Sequence, residues 1–242
     1  RQIFVQDVWR FPIYRKAASQ LEVLDLHIPA GLSVAYITGP GDKVPDTLQQ
    51  LGIPVKLLGP ENLASGDLSN FSSILVAVRA YEVRDDLVAN NARLLEYVKA
   101  GGTLIVQYQR RAGWSRGSFP PYPARLQSDD HRVTDETAPV TILEPSNSIF
   151  NLPNHITESD FEGWVQERGL YFFQDRDPRF KPLLSMGDPG FPMLDGGLLI
   201  ADYGKGKYVL TALSWFRQLP EGVPGAIRIF VNLISLSRQS ER

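Results

Sequence analysis

The chain has 242 residues, 43% hydrophobic and 21% charged, with a net charge of −2 and a pI near 6.0. That length suits one large domain or two small ones around a sizeable core. The acidic balance leaves no electrostatic footprint for nucleic acid or an anionic membrane. With no cysteine, the chain has no disulfide, no thiolate nucleophile and no Cys-ligated zinc. Cysteine usage is therefore silent on redox compartment. No apolar run is long enough to span a bilayer. The chain does not begin with Met, so it is expected to be a fragment or a processed product.

Residues 1–31 read as a lead-in segment or a linker from an upstream domain. Two β-prone stretches there, FVQDVWRFPIY and LEVLDLHI, suggest an edge hairpin or the tail of a preceding domain. His27 alternates with apolar neighbours and is expected to be a partly buried structural residue. Parallel α/β organisation starts at Leu32, so 32–242 read as the main domain. SVAYIT predicts a strand, GPGD its exit loop, Val44 to Leu51 a helix closed by Gly52, and PVKLL the next strand. GPGD matches neither the Rossmann nor the Walker pattern, and Pro40 removes one backbone N–H. A tight turn with Asp42 capping the helix is the expectation.

The stretch from Phe71 to Gln109 predicts a βαβ unit. A buried strand (Ile74 to Val78) leads into Arg79-Ala80-Tyr81. A helix with Leu87, Leu94, Leu95 and Val98 on one face follows, stopped by Gly101-Gly102. A second buried strand, Thr103 to Val106, ends in Gln107-Tyr108-Gln109. Right-handed crossover brings the two exit loops side by side, outside the carboxyl ends of the strands where open α/β sheets bind ligands. Arg79 and Tyr81 are the leading site candidates, because a long cation at a strand end before a helix can meet an anion from two sides.

From Arg110 to about His131 the chain is rich in Arg, Gly, Pro and Ser and lacks periodicity, as a solvated loop would. APVTIL, GLYFF, KPLLSM, GGLLIADY and KYVLTALSW are candidate strands, and LLIADYGKGKYVLTAL predicts a hairpin. A closing helix runs from about Gly225 to Leu236 with Ile229, Phe230, Leu233 and Ile234 inward. Thr157 with Asp160 is a capping-box start. The residues His155, Trp164, Gln166, Glu167, Arg168 and Tyr171 mix aromatic and hydrogen-bonding groups as a sugar site does. Trp215 and Arg217 are placed to join the same rim. Asp135 lies on a loop able to approach Arg79.

Five ordered segments carry a family resemblance: AYITGPGDKVPDTLQQLGIPV, LASGDLSNFSSILVAVRAYEVRDDLVANNARLLEYVKAGGTLIVQYQ, RVTDETAPV, PNHITESDFEGWVQERGLYFF and YGKGKYVLTALSWFRQLPEGVPGAIRIFVNLIS. Together they resemble the C-terminal domain of long bacterial proteins whose N-terminal domain is a PIG-L/LmbE-type N-acetyl-sugar deacetylase. That domain is similar to the class I glutamine amidotransferase-like fold, also seen in ThuA-type proteins and the middle domain of some β-galactosidases. The resemblance implies a flavodoxin-like α/β sheet with helices on both faces, to which the hairpins are additions. In class I amidotransferases a Cys follows the strand after the long helix. That turn maps onto Gln107-Tyr108-Gln109, which has no ionisable nucleophile, so glutaminase activity is not expected.

The reading that follows is a non-catalytic accessory domain acting in ligand or glycan binding or in domain assembly, with Arg79, Tyr81, Gln107, Tyr108, Trp164, Arg168 and Tyr171 as the ligand-binding candidates. Two alternatives stand beside it: a hydrolase acting on a sugar-like substrate with Glu167 or Asp135 as acid/base and Arg79 stabilising charge, with His155 a further catalytic candidate, and a structural oligomerisation module. No cofactor is expected, and no metal, since His27, His131 and His155 lack ligand spacing. Implied partners are an upstream deacetylase-like domain, a sugar or small anionic ligand, and a second copy in a homo-oligomer. The resemblance leans towards a periplasmic or extracellular location in a bacterium.

Overall fold

The computed structural model describes residues 23–239, so the first β-prone stretch lies outside the described residues. From Val34 the chain alternates strand and helix: β1 (Val34–Ile37), α1 (Val44–Gln50), β2 (Val55–Leu57), α2 (Pro60–Ser65) and β3 (Ser73–Val76). Two helices in series, α3 (Ala80–Val83) and α4 (Asp85–Ala100), lead to β4 (Thr103–Val106). Shorter pieces follow: α5 (Arg111–Trp114), β5 (Ala124–Arg125), β6 (Val140–Ile142), β7 (Asp175–Arg176), β8 (Lys181–Pro182) and β9 (Leu184–Met186). The hairpin β10 (Leu198–Tyr203) and β11 (Gly206–Thr211) precedes α6 (Trp215–Gln218), α7 (Pro224–Ile234) and α8 (Leu236–Gln239).

A seven-stranded sheet has the order β2-β1-β3-β4-β11-β10-β8. Its first five strands are parallel, and β10 and β8 extend it through antiparallel pairing. The parallel part has the order of a flavodoxin-like doubly wound sheet, with its switch point between β1 and β3. VAYI, SILV and TLIV are buried at every position, as strands covered on both faces must be. The right-handed crossover rule assigns α1 to one face and both α2 and α4 to the other. The latter two pack together. Of the face expected on α4, Leu87, Leu94 and Val98 are buried and Leu95 is partly so. Two small sheets, β5 with β7 and β6 with β9, flank the main one.

Helix α7 buries nine of its eleven residues, and a helix apolar all round must be enclosed. Part of its cover is the extended run Val23–Ile28, where Leu24, Leu26 and Ile28 pack against the core between exposed neighbours. Asn154 holds that run by its backbone, accepting from His27 N and donating to His27 O. The His27 side chain is exposed rather than partly buried, and the run forms no ladder.

Two other stretches differ from expectation. The run after Arg110 is folded rather than solvated: Trp114 and Phe119 are buried against Tyr81, and Trp114 Nε1 donates to Ala124 O. GLYFF forms no strand, only isolated bridges from Gly169 to Val133 and Leu213. Tyr171 is left-handed at φ 59°, which breaks the extended run before Phe172 and Phe173, both fully buried.

Candidate functional site

The exits of β3, β4 and β11 lie in neighbouring strands and carry Arg79, Tyr108 and Phe216. Arg79 is itself left-handed (φ 56°, ψ 18°). The turn is held from beneath by Gln109, whose Oε1 accepts from Tyr81 N (3.2 Å) and whose Nε2 donates to Ala77 O and Gln107 O (both 2.9 Å). Arg79 N donates to Tyr108 O at 3.0 Å. Gln107 and Gln109 are fully buried. Of the Gln107-Tyr108-Gln109 turn, Tyr108 alone reaches towards the surface, at 9% exposure.

Around Tyr108 an aromatic platform assembles. Tyr171 stacks on it at 5.6 Å between centroids and 15° between planes. Phe216 packs on it at 5.4 Å and 42°. Both of these rings are partly exposed. Charged pairs border the platform. Arg79 binds Glu82 in bidentate fashion, with Nε and Nη2 each 3.0 Å from a carboxylate oxygen. Arg110 approaches the same carboxylate at 3.8 Å. On the far side Arg217 Nε meets Glu167 Oε1 at 2.6 Å, and its Nη1 donates to Gln166 Oε1. The Arg217 guanidinium lies 4.9 Å from the Phe216 centroid. The bond to Arg79, reinforced by Arg110, holds the Glu82 carboxyl below the usual range. Burial pushes the Tyr108 hydroxyl up, with Arg79 opposing.

Three non-glycine residues have positive φ among the described residues: Arg79, Gln166 and Tyr171. All three belong to this patch. Such backbone costs of order 1 kcal/mol or more each, and it persists only where surrounding contacts over-determine it. Here Gln218 supplies part of that restraint on the loop bearing Gln166. It is fully buried, accepts from Val165 N (2.8 Å) and donates to Val165 O (2.9 Å).

The other sequence-designated residues are placed elsewhere. Tyr81 is fully buried: α3 turns it inward, its ring 3.9 Å from Phe119 and its hydroxyl 2.6 Å from Asn91 Oδ1. Gln107 points inward, donating 2.9 Å to the Tyr36 hydroxyl. Trp164 is core, packed between Phe161 and Trp215 with Nε1 on Asp160 O. Arg168 is buried under Trp164 and donates to the carbonyls of Ala138 and Phe161. Desolvation pulls its pKa down to about 10. Asp135 does not pair with Arg79. Its carboxylate accepts from Thr137 N and Oγ1, which holds its pKa below the ordinary value. His155 is exposed, with Nδ1 3.3 Å from Asn151 Oδ1. Trp215 is fully buried, with Nε1 on Thr211 Oγ1. Arg79, Tyr108, Tyr171 and Glu167 are therefore brought together, while Tyr81, Gln107, Trp164, Arg168, Asp135 and His155 are not part of the surface patch. The thread overlooked in the sequence is Glu82 and Phe216. Glu82 was legible as an i,i+3 partner of Arg79.

The N-cap of α1 is Lys43, without a side-chain cap bond, so Asp42 is not the cap expected; it lies one residue earlier, accepting from Val44 N at 2.8 Å and from the Tyr36 hydroxyl. Burial raises its pKa. Arg84 closes the same region, donating to Thr38 Oγ1 (3.2 Å), Leu58 O (3.1 Å) and Asp86 (2.7 and 2.6 Å). Among the described residues no group of three or more His, Cys, Asp or Glu is arranged to hold a metal. No helix among them is long and apolar enough to cross a membrane.

No protein-family model and no curated protein matches the chain. Solved structures do. A cytoplasmic protein of Salmonella typhimurium, STM3548, is 13% identical with a TM-score of 0.54, covering 85% of this chain and 98% of that one. A putative GMP synthase subunit from Thermoplasma acidophilum is 10% identical with a TM-score of 0.50, covering 89% of this chain and 98% of that one. A cold-adapted β-galactosidase from Rahnella sp. R3 aligns at 16% identity and a TM-score of 0.49, over 87% of this chain and 31% of that one. At such identities likeness is one of fold alone: the chain has a flavodoxin-like α/β fold shared with the GMP synthase-type protein.

Proposed function

We propose that this chain is a non-catalytic, amidotransferase-like accessory domain that binds a sugar or small anionic ligand at the carboxyl edge of its sheet. In this reading it serves a longer protein with a PIG-L/LmbE-type deacetylase-like domain upstream. The observation that carries the proposal is the convergence of Arg79, Gln166 and Tyr171, all left-handed, on one aromatic, charge-bordered patch. Strained backbone is retained where side chains must be aimed, and binding surfaces are the usual reason.

Two facts support the non-catalytic half. The chain has no cysteine. The turn after β4 turns two of its three side chains inward, where their amides hold the fold. A hydrolase built on Glu167 would have Arg217 as the partner of that carboxylate, with Asp135 committed to Thr137.

A thermal-shift screen with neutral and acidic sugars and with small anions tests the proposal on the whole chain. A ligand at about 100 times its Kd stabilises by about 2.7 kcal/mol, and Arg79→Ala is expected to abolish that shift. No shift with any sugar or anion overturns the binding reading. Release of ammonia from glutamine by the purified chain overturns the non-catalytic one.

A further inference from the structure

We infer that the carboxyl-edge platform takes an uncharged polysaccharide segment, laid flat across Tyr171 and Phe216, and not an anionic ligand. This rests on the proposal that the patch is a binding site, and it names the class of ligand.

Charge is the first argument. An anion site keeps a guanidinium fork free for a carboxylate or phosphate. Here the forks are spent: Arg79 engages both oxygens of Glu82, and Arg217 engages Glu167 and Gln166. An incoming anion has to displace an intramolecular carboxylate that carries no association cost. Arg110, 44% exposed in its side chain, is already drawn to Glu82. A sugar hydroxyl is both donor and acceptor. It therefore uses the unfilled N–H groups and the spare carboxylate lone pairs of the same ion pairs without breaking them.

The rings are the second argument. Tyr108 is nearly buried and supports two partly exposed rings, 5.6 and 5.4 Å away. A pyranose has an apolar C–H face and a polar rim. Stacking that face on Tyr171 or Phe216 leaves its rim hydroxyls directed outward, towards the Arg79–Glu82 and Arg217–Glu167 pairs. Aromatic faces supply this contact at low entropic cost, because their few rotatable bonds are already held by packing.

Shape is the third. Pockets for small molecules are concave and enclose most of the ligand. Two cavities, of about 760 and 670 Å³, lie elsewhere. One is lined by Phe71, Tyr97 and Ser237, the other by Arg111, Trp114 and Pro123, and neither reaches Tyr108, Tyr171 or Phe216. A single sugar stacked on one partly exposed ring leaves much of its surface in solvent, whereas a chain adds contact by reaching the second ring.

Affinity electrophoresis of the whole chain through gels holding either neutral polymers (mannan, galactan, xyloglucan) or anionic ones (polygalacturonate, heparin) tests the inference. Retardation by a neutral polymer is expected, unchanged when salt is raised from about 0.05 to 0.5 M, because no counterions are released. Tyr171→Ala and Phe216→Ala are each expected to weaken it about tenfold, and Phe216→Tyr, which keeps the ring face, to restore it. Retardation only by anionic polymers, lost at high salt and indifferent to Phe216→Ala, overturns the ligand class and leaves the binding site standing. Thermal shifts with single sugars but retardation by no polymer also overturns the class. Neither shift nor retardation by any compound removes the binding site itself.

Discussion

Two stretches of the same sheet edge have opposite characters. At the switch point between β1 and β3, where doubly wound sheets usually bind ligands, the molecule is sealed. Gly39 lies so close to the Val78 carbonyl that a Cβ has no room. Tyr36 donates to Asp42 and accepts from Gln107 Nε2 beneath the turn, with Gln107 Oε1 buried and unpartnered, and Arg84 pins the loops above. Two strands along, between β4 and β11, the edge is open, and there the left-handed residues and half-exposed rings gather. In the sealed stretch polar groups meet each other. In the open stretch ion pairs and partly exposed rings meet solvent.

The largest test of this contrast is Gly39→Ala. A methyl group forced against a backbone carbonyl cannot be relieved by a rotamer change, and the expected loss is about 3 kcal/mol, read from the denaturant midpoint. A loss under about 0.5 kcal/mol means the switch point has slack and is not sealed. Asp42→Asn gives a smaller, pH-dependent effect. Burial raises the folded-state pKa of Asp42, so the folded form holds that proton more tightly and stability falls as pH rises from about 4 through the raised value. The stability of the wild type relative to the D42N variant should therefore decline over that window. Glu82 and Asp86, whose pKa values are lowered, titrate with the opposite sign but are common to both proteins and cancel. A flat difference between pH 4 and 7 would falsify the buried-carboxylate account. The smallest effect is expected at the open stretch. Gln166→Gly relieves a left-handed residue whose exposed side chain carries little packing. It should raise unfolding stability by about 0.5 kcal/mol, where the same change at an ordinary loop position lowers it. Urea titration separates the two signs, and a loss above about 1 kcal/mol shows that the conformation is not strained.

Much of the frame was legible. The runs VAYI, SILV and TLIV announce strands buried on both faces, and the 3.6-residue spacing of Leu87, Leu94 and Val98 places α4 between β3 and β4. The glycine stop at Gly101 and the hairpin around Gly204 were equally readable. The candidate site was legible only in outline. Alternation predicts that neighbours on a strand exit face opposite ways, and Gln107, Tyr108 and Gln109 obey it, so Tyr108 reaches the surface while both glutamines turn in. Trp164 and Arg168 looked like site residues because aromatic and cationic side chains suit binding. They became core because Arg168 found carbonyls at Ala138 and Phe161, 30 and 7 residues away in the chain.

By itself the sequence determined the buried strands, the long helix and the missing thiol, while the arrangement of the sheet came only as what the family resemblance implies. The first three follow from periodicity and composition, which act over a few neighbouring residues. Tertiary structure alone decided that the switch point is closed and that Tyr171 and Phe216 pack on Tyr108. The last of these contacts joins residues more than one hundred positions apart, and the left-handed turns behind them are imposed by packing on residues with no local preference for them. Distance along the chain hid the site; proximity across β4 and β11 made it.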